Sequence, residues 1–430
     1  MTEQRWRRII PVALIMYTIS YVDRTNVTLA LDPKISSMMR DLLMDDRMKG
    51  RAAGIFFFGY LLLQAPGGYF ATHWSARKVI SILLVCWGAC AVACGLSHTF
   101  SQFEWMRFLL GVAESGVFPA TLVLLANWFP RAERARANAF WCICQPMSVA
   151  LSAPATGWLL DKYGWQKMLV AEGALPFVWL PIWWLFIRDH PSEAKWITPR
   201  ERQFLETTLQ REREETEPLV KVPLWQRFAN PTVAIMIVIY FLHNCAAYGC
   251  MTFFTSGLHS KNFSALQSGI LFAIPYALTV LIMIITSWHS DKTGERRGHV
   301  AAVYILSGVS LILSVCFQRY FWLSYAFLCL AIPGPFAALG PFWAISTELL
   351  PRNVAGLVMG LVNACGNLGG FYGNDITGWL KMKYNSIAVP FSVLGAGMLV
   401  AAALCFFLPK PGFANPSRRE TGEPQTTTVT

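Results

Sequence analysis

The run IIPVALIMYTISYVDRTNVTLAL, Ile9 to Leu31, is long and apolar enough to cross a bilayer, yet it carries Asp23 and Arg24 in its second half. About 20 apolar residues in a helix span the ~30 Å of membrane hydrocarbon. A charge at the centre of such a helix costs roughly 3 kcal/mol or more, so intramembrane ions normally face a water-filled cavity and carry function. A second run with the same property, from Phe100 to Trp128, holds Arg107 and Glu114.

Outward from these two runs, similar windows recur along the chain at 52–72, 79–98, 138–160, 166–188, 231–256, 265–288, 299–318, 320–345, 353–380 and 386–408. With 54% hydrophobic and 14% charged residues in 430, too little polar surface remains for a soluble protein. The windows predict an all-α membrane protein of about twelve transmembrane helices.

The net charge of +11 does not point to nucleic acid, because the basic residues fall in alternate loops rather than in one stripe. Arg5, Arg7 and Arg8 precede the first span; Arg77 and Lys78 follow the second; Arg131, Arg134 and Arg136 follow the fourth; Lys292, Arg296 and Arg297 follow the eighth. By the positive-inside rule both termini are expected in the cytoplasm, with the protein in the cell (inner) membrane. The loop holding Lys34, Arg40, Arg47, Lys49 and Arg51 is an exception, partly offset by Asp32, Asp41, Asp45 and Asp46. The first apolar run is full length and lacks a small-residue cleavage pattern, so it reads as a retained span. Most of the eleven cysteines sit in apolar spans and read as packing residues, and His243 as an interhelical hydrogen bonder. Glu172 and Glu348 read as residues near helix ends, interfacial anchors or loop contacts.

The middle of the chain differs from its flanks. Arg188 to Arg227 is charged, and Thr198-Pro199-Arg200-Glu201 is a capping box with proline at the first helical position, which predicts a helix with a solvated face. Phe129-Pro130-Arg131 matches Leu350-Pro351-Arg352, and Thr156-Gly157-Trp158-Leu159 matches Thr377-Gly378-Trp379-Leu380, both at an offset of 221. The second half therefore repeats the first. The expected organisation is two pseudo-symmetric six-helix bundles over 1–188 and 230–409, a cytoplasmic linker over 189–229, and a Pro/Thr/Glu-rich disordered tail over 410–430.

The loop from Asp291 to Arg297 resembles the signature of the major facilitator superfamily between helices two and three of each half, and Arg107-Phe108-Leu109-Leu110-Gly111 resembles its fourth-helix motif. The resemblance implies that Asp291, Arg296 and Arg297 brace neighbouring helix ends and help set the inward/outward equilibrium. The first copy of that loop has Thr72 where the acid is expected. Tyr21 to Asn26, Gly59 to Gly68, Arg107 through Glu114 to Pro119, Asp189 to Trp196, and Asn363 to Asn367 resemble the anion:cation symporter branch. That branch includes permeases for sugar acids such as hexonates, glucarate and tartrate, and for aromatic carboxylates. Asn244 stands near the place of a seventh-helix arginine of its vesicular members, which favours the bacterial permeases. The likeness implies Asp23 and Glu114 as proton-coupling residues, Arg24 and Arg107 as anion-binding residues, and Tyr21, Tyr60, Gln145 and Asn367 as polar substrate contacts.

The residues argue in the same direction without the family. Arg107 and Glu114 are two helical turns apart, on one face and separated by ~10 Å of rise. Asp23 lies about 14 residues into its span, ~21 Å from the start and just past the midplane. Burial disfavours the ionised form of such an acid, so it can exchange a proton. Arginine stays charged and offers a planar fork to a carboxylate. The competing account is that Asp23 with Arg24, or Arg107 with Glu114, form structural ion pairs.

These readings predict an importer of an organic anion by proton symport through alternating access, with a small carboxylate, protons and the bilayer as partners, acting as a monomer. No cofactor or metal is expected. No Gly-x-x-x-x-Gly-Lys-Ser/Thr loop of an ATP-driven enzyme occurs in the sequence. Drug efflux is disfavoured because the fifth span has Ser152-Ala153-Pro154-Ala155-Thr156-Gly157 in place of a Gly-Pro-x-x-Gly-Gly motif. Sodium coupling and a non-transporting sensor are the remaining alternatives.

Overall fold

The computed structural model describes residues 4–130, 133, 137, 141, 143–214, 231–258, 263–349 and 352–409, and among these there is no β-strand. The tail, most of the arginine cluster around Arg134 and the end of the linker lie outside the described residues.

The first half comprises α1 (Gln4–Ala30), the short α2 (Met38–Asp41), α3 (Asp46–Tyr60), α4 (Gln64–Phe70), α5 (Ala76–Gly95), α6 (Phe100–Ser115), α7 (Val117–Trp128), α8 (Cys144–Gly173) and α9 (Leu175–Phe186). The linker helix is α10 (Pro199–Glu214). The second half comprises α11 (Pro231–Phe253), α12 (Ala265–Thr293), α13 (Arg297–Cys316), α14 (Phe321–Ala331), α15 (Pro333–Leu349), α16 (Arg352–Tyr384) and α17 (Ala388–Cys405). Pairs such as α3/α4, α6/α7 and α14/α15 are single crossings with a break. Inside α8, Gly164 takes φ 78°, a left-handed conformation glycine adopts without steric cost, and the chain reverses there.

Among the described residues eight stretches are long and apolar enough to cross a membrane, and two of them, Asp46–Gly95 with 50 residues and Cys144–Phe186 with 43, are long enough to cross twice. α1 and α16 have the length, at 27 and 33 residues, but are more polar. Together these make twelve crossings, and the two polar helices run through the centre. Residues 19–30 of α1 are buried on every side. Large apolar side chains instead point outward from α9, α12 and α17, among them Val178, Leu185, Leu281, Ile285 and Val400, as in a protein whose solvent is hydrocarbon.

We call the face carrying α10 the linker face and the opposite one the far face. At the far face the halves are locked together. α3 crosses α16 closely because Gly50 and Gly54 face it; a Cβ on Gly54 would lie 2.9 Å from the Phe371 carbonyl oxygen. Lys381 Nζ donates to Asp46 Oδ1 at 2.6 Å, and Arg47 lies 3.9 Å from Asp375. Across α8 and α12, Asp161 accepts from the first amides of α12, Ala265 at 2.9 Å and Leu266 at 2.8 Å. Of the basic loop that breaks the charge rule, Arg47 faces Asp375 across the seal and Arg51 pairs with Glu104 of α6, so part of its charge is neutralised within the protein. The structure also corrects the expected boundary of 52–72, since the helix begins at Asp46 after Asp45 caps Met48 N, and Lys49 and Arg51 belong to α3.

At the linker face the predicted capping box forms by half. Thr198 Oγ1 accepts from Glu201 N at 3.3 Å, but the Glu201 carboxylate is taken by Arg5 at 2.7 Å, which also forks onto Glu133. Trp128 stacks on Trp196 at 5.1 Å. Leu205 and Leu209 are buried, so α10 is docked on the first half through one face while Glu206 and Arg211 face outward.

Candidate functional site

Asp23, Arg24, Arg107 and Glu114 come together where the halves meet, and all are buried at 8% exposure or less. The pairing differs from both structural alternatives. Neighbours on a helix do not face each other, so Asp23 cannot hold Arg24. Arg24 Nε instead donates to Glu114 Oε2 at 3.0 Å, an oxygen that also accepts from Ser20 Oγ at 2.7 Å. Arg107 donates to backbone carbonyls, that of Asp23 at 2.9 Å and that of Ala52 at 3.4 Å, tying α6 to α1 and α3. The Asp23 carboxylate accepts from Trp87 Nε1 at 3.1 Å.

Four rings surround the Arg24 guanidinium, with centroids at 4.4 Å for Tyr60, 5.1 Å for Phe56, 5.4 Å for Tyr21 and 5.8 Å for Tyr17. Such rings hold a cation by their negative faces while leaving its edge available to an anion. Among the described residues Arg24 Nη2, Asp23 Oδ1 and Glu114 Oε1 are buried with no hydrogen-bond partner. Unsatisfied buried polar atoms are costly, so this set has capacity for a ligand or water.

The second half supplies the opposite wall. Tyr21 Oη lies 3.2 Å from Tyr248 Oη on α11, and Asn363 Nδ2 donates to Gln64 Oε1 at 3.2 Å. Asn367, one turn beyond Asn363, is buried on α16. Gln145 is half-buried one turn beyond Trp141, whose ring packs on Tyr17 at 4.6 Å. His243 bonds Tyr304 Oη at 3.1 Å, the interhelical role expected of it.

Three residues escaped the sequence reading. Tyr248 and Gln64 bridge the halves; both are polar groups inside apolar spans, and Gln64 lies in a quoted motif. Glu172, expected as an interfacial anchor or loop contact, is 5% exposed and accepts from Thr156 Oγ1 at 2.6 Å. Gly164 reverses the chain about eight residues earlier than Glu172, so this carboxylate lies at roughly the depth of Asp23, ~12 Å inside the far face.

The loop residues lie apart from this centre. Arg296 pairs with Asp291 and donates to Ser290 Oγ at 3.2 Å, while Arg297 donates to the Leu408 carbonyl beyond the end of α17. In the first half, where Thr72 replaces the acid and bonds only Gly68 O, Asp189 accepts from Ser75 Oγ and from Arg77 N at 2.9 Å. The brace there comes from the segment after α9. No group of three or more potential metal ligands occurs among the described residues.

The Major Facilitator Superfamily profile matches residues 13–374. The chain belongs to this superfamily. It is thus a multi-pass membrane transporter and not an enzyme. A protein of Agrobacterium vitis provisionally named a tartrate transporter is 31% identical over 92% of each chain. The quinolone resistance transporter of Acinetobacter baumannii is 29% identical over 93% of each chain. A Bacillus subtilis protein provisionally named the galactarate/D-glucarate transporter GudP is 26% identical, covering 95% of this chain and 92% of its own. A bacterial homologue of the human lysosomal transporter Spinster shares the fold with a TM-score of 0.73 over 95% of this chain and 97% of its own, at 15% identity.

Proposed function

We propose that this transporter imports a small hydroxylated organic anion, of the tartrate or glucarate type, together with protons. The observation that carries the reading is the buried Arg24–Glu114 pair in its ring of tyrosines and phenylalanine, with arginine and carboxylate atoms left unpartnered beside it. The four central charges sum to zero when all are ionised. An entering carboxylate therefore adds an uncompensated negative charge to a low-dielectric site, and a proton on Glu114 cancels it.

Protonation of Glu114 weakens its hold on Arg24 and frees the guanidinium to fork onto the substrate. Tyr21, Tyr60, Gln145 and Asn367, with Gln64 and Tyr248, offer hydroxyl and amide groups to the substrate's own hydroxyls. Asp23 is the second proton carrier, and Arg107 holds its backbone in place while remaining close enough to join the anion site after rearrangement. Release of the proton on the other side restores the Arg24–Glu114 pair and expels the anion. Coupling of this kind is reciprocal, so substrate raises proton affinity as much as protons raise substrate affinity.

In the proposed orientation the linker face is cytoplasmic and the far face external, so the structure has its external side shut. The bundles over 1–188 and 230–409 rock about the central site as a monomer, with 189–229 as the tether. A second reading, export of a drug-like compound, is favoured by the quinolone resistance relative. Proteoliposomes separate the two. Accumulation of labelled tartrate or D-glucarate under an inward proton gradient, abolished by a protonophore, supports import. Gradient-driven removal of a fluoroquinolone with no uptake of either acid contradicts it.

A further inference from the structure

Away from the central site, the far face of the second half holds an open cavity of about 560 Å³. Its size falls within the roughly 300–1,000 Å³ typical of small-molecule sites. Its lining includes Ser256, Arg319, Lys381, Asn385, Ser386 and Asp46, the last reaching in from the first half. None of the central-site residues contributes to it.

Two observations give this cavity the chemistry of an anion site, and a turn shapes its rim. Two cations, Arg319 and Lys381, face one acid, Asp46. Ser256 is 1% exposed and its Oγ has no hydrogen-bond partner, so a buried hydroxyl is left to a ligand. Asn385 is held at φ 47°, a left-handed turn that asparagine tolerates, just before Ser386 Oγ accepts from Ala388 N at 3.1 Å.

The position has a consequence for the seal. Lys381 is the lysine whose ammonium donates to Asp46 at 2.6 Å and so fastens α16 to α3. Its neighbour across the Phe253 ring is Lys49, buried, with Nζ 4.7 Å from the centroid and no hydrogen-bond partner. An anion drawn to Lys381 from the cavity competes with Asp46 for that ammonium.

We propose that the cavity is a second, external binding site for a small hydroxy-carboxylate, and that its occupant loosens the Asp46–Lys381 fastening from outside before the anion reaches Arg24. The inference rests on the anion reading of the central site for the identity of the occupant. A solvated site of this kind binds weakly, with a Kd on the order of 1 mM.

Equilibrium dialysis of the purified full-length protein with labelled tartrate, repeated with labelled D-glucarate, tests it. The wild-type chain is expected to bind two anions with different affinities. Arg319→Gln, a change at an exposed side chain, removes the weaker class, Ser256→Ala weakens it several-fold, and Arg319→Gln raises the KM for uptake several-fold with the maximal rate kept. Identical binding by the wild type and Arg319→Gln for both probes overturns the proposal. Failure of the central reading looks different: Arg24→Gln then leaves the tighter class and the uptake intact.

Discussion

In the proposed mechanism the chemistry turns on Arg24 and Glu114, and substitutions in and around that pair have distinct expected outcomes. Arg24→Lys keeps the charge but loses the planar fork and the stacking against Tyr60, so substrate affinity is expected to fall more than tenfold in a binding titration. A Lys variant that binds like the wild type contradicts the clamp role. Glu172→Gln, which keeps the hydrogen bond from Thr156 but removes the charge near Asp23, should alter the pH profile of uptake while leaving the fold intact. An unchanged profile would make Glu172 a packing group only. The central ions were legible in the sequence because a charge in an apolar run is conspicuous. Their pairing was not, since it depends on which helices meet: Asp23 and Arg24 sit side by side in the chain yet bond to Trp87 and Glu114. Tyr248 was hidden for the opposite reason, as one tyrosine in an apolar span looks like packing until its partner helix is placed.

Between elements, the far-face seal depends on backbone approach rather than on the ion pairs alone. Gly54→Leu would set side-chain atoms against the Phe371 carbonyl and part α3 from α16. Spin labels at Arg40→Cys and Tyr384→Cys, with the exposed Cys86 and Cys316 replaced by serine, are expected to report a longer far-face distance in that variant. An unchanged distance would show that the crossing tolerates bulk. Asp189→Ala removes the acceptor for Ser75 and Arg77 at the start of α5. Ser75 still caps the helix through Lys78 N, so loss of this supporting acceptor costs about 1 kcal/mol, and the melting temperature should fall by about 1 °C. The sequence showed Thr72 in the wrong place for a brace; it could not show that an acid more than a hundred residues later folds back to supply one. The linker capping box forms only by half for a similar reason: an isolated helix would keep the Glu201 carboxylate for the Thr198 amide, but Arg5 offers it a buried charge.

For the whole molecule, the spans were readable from hydropathy, because lipid demands long and mostly apolar helices, while the 221-residue offset is what suggests the division into two repeats. Which face is shut was not, because it depends on contacts between halves far apart in sequence, such as Asp46 with Lys381. The central claim is that the molecule rocks about a site where a proton on Glu114 releases Arg24 to the anion, with Asp23 as the second carrier. The most direct test compares two modes of flux in proteoliposomes for Glu114→Gln and Asp23→Asn. Gradient-driven accumulation should collapse by at least tenfold in each, while exchange of labelled for unlabelled substrate across the membrane persists. Accumulation that still follows the imposed proton gradient in both variants would contradict the account.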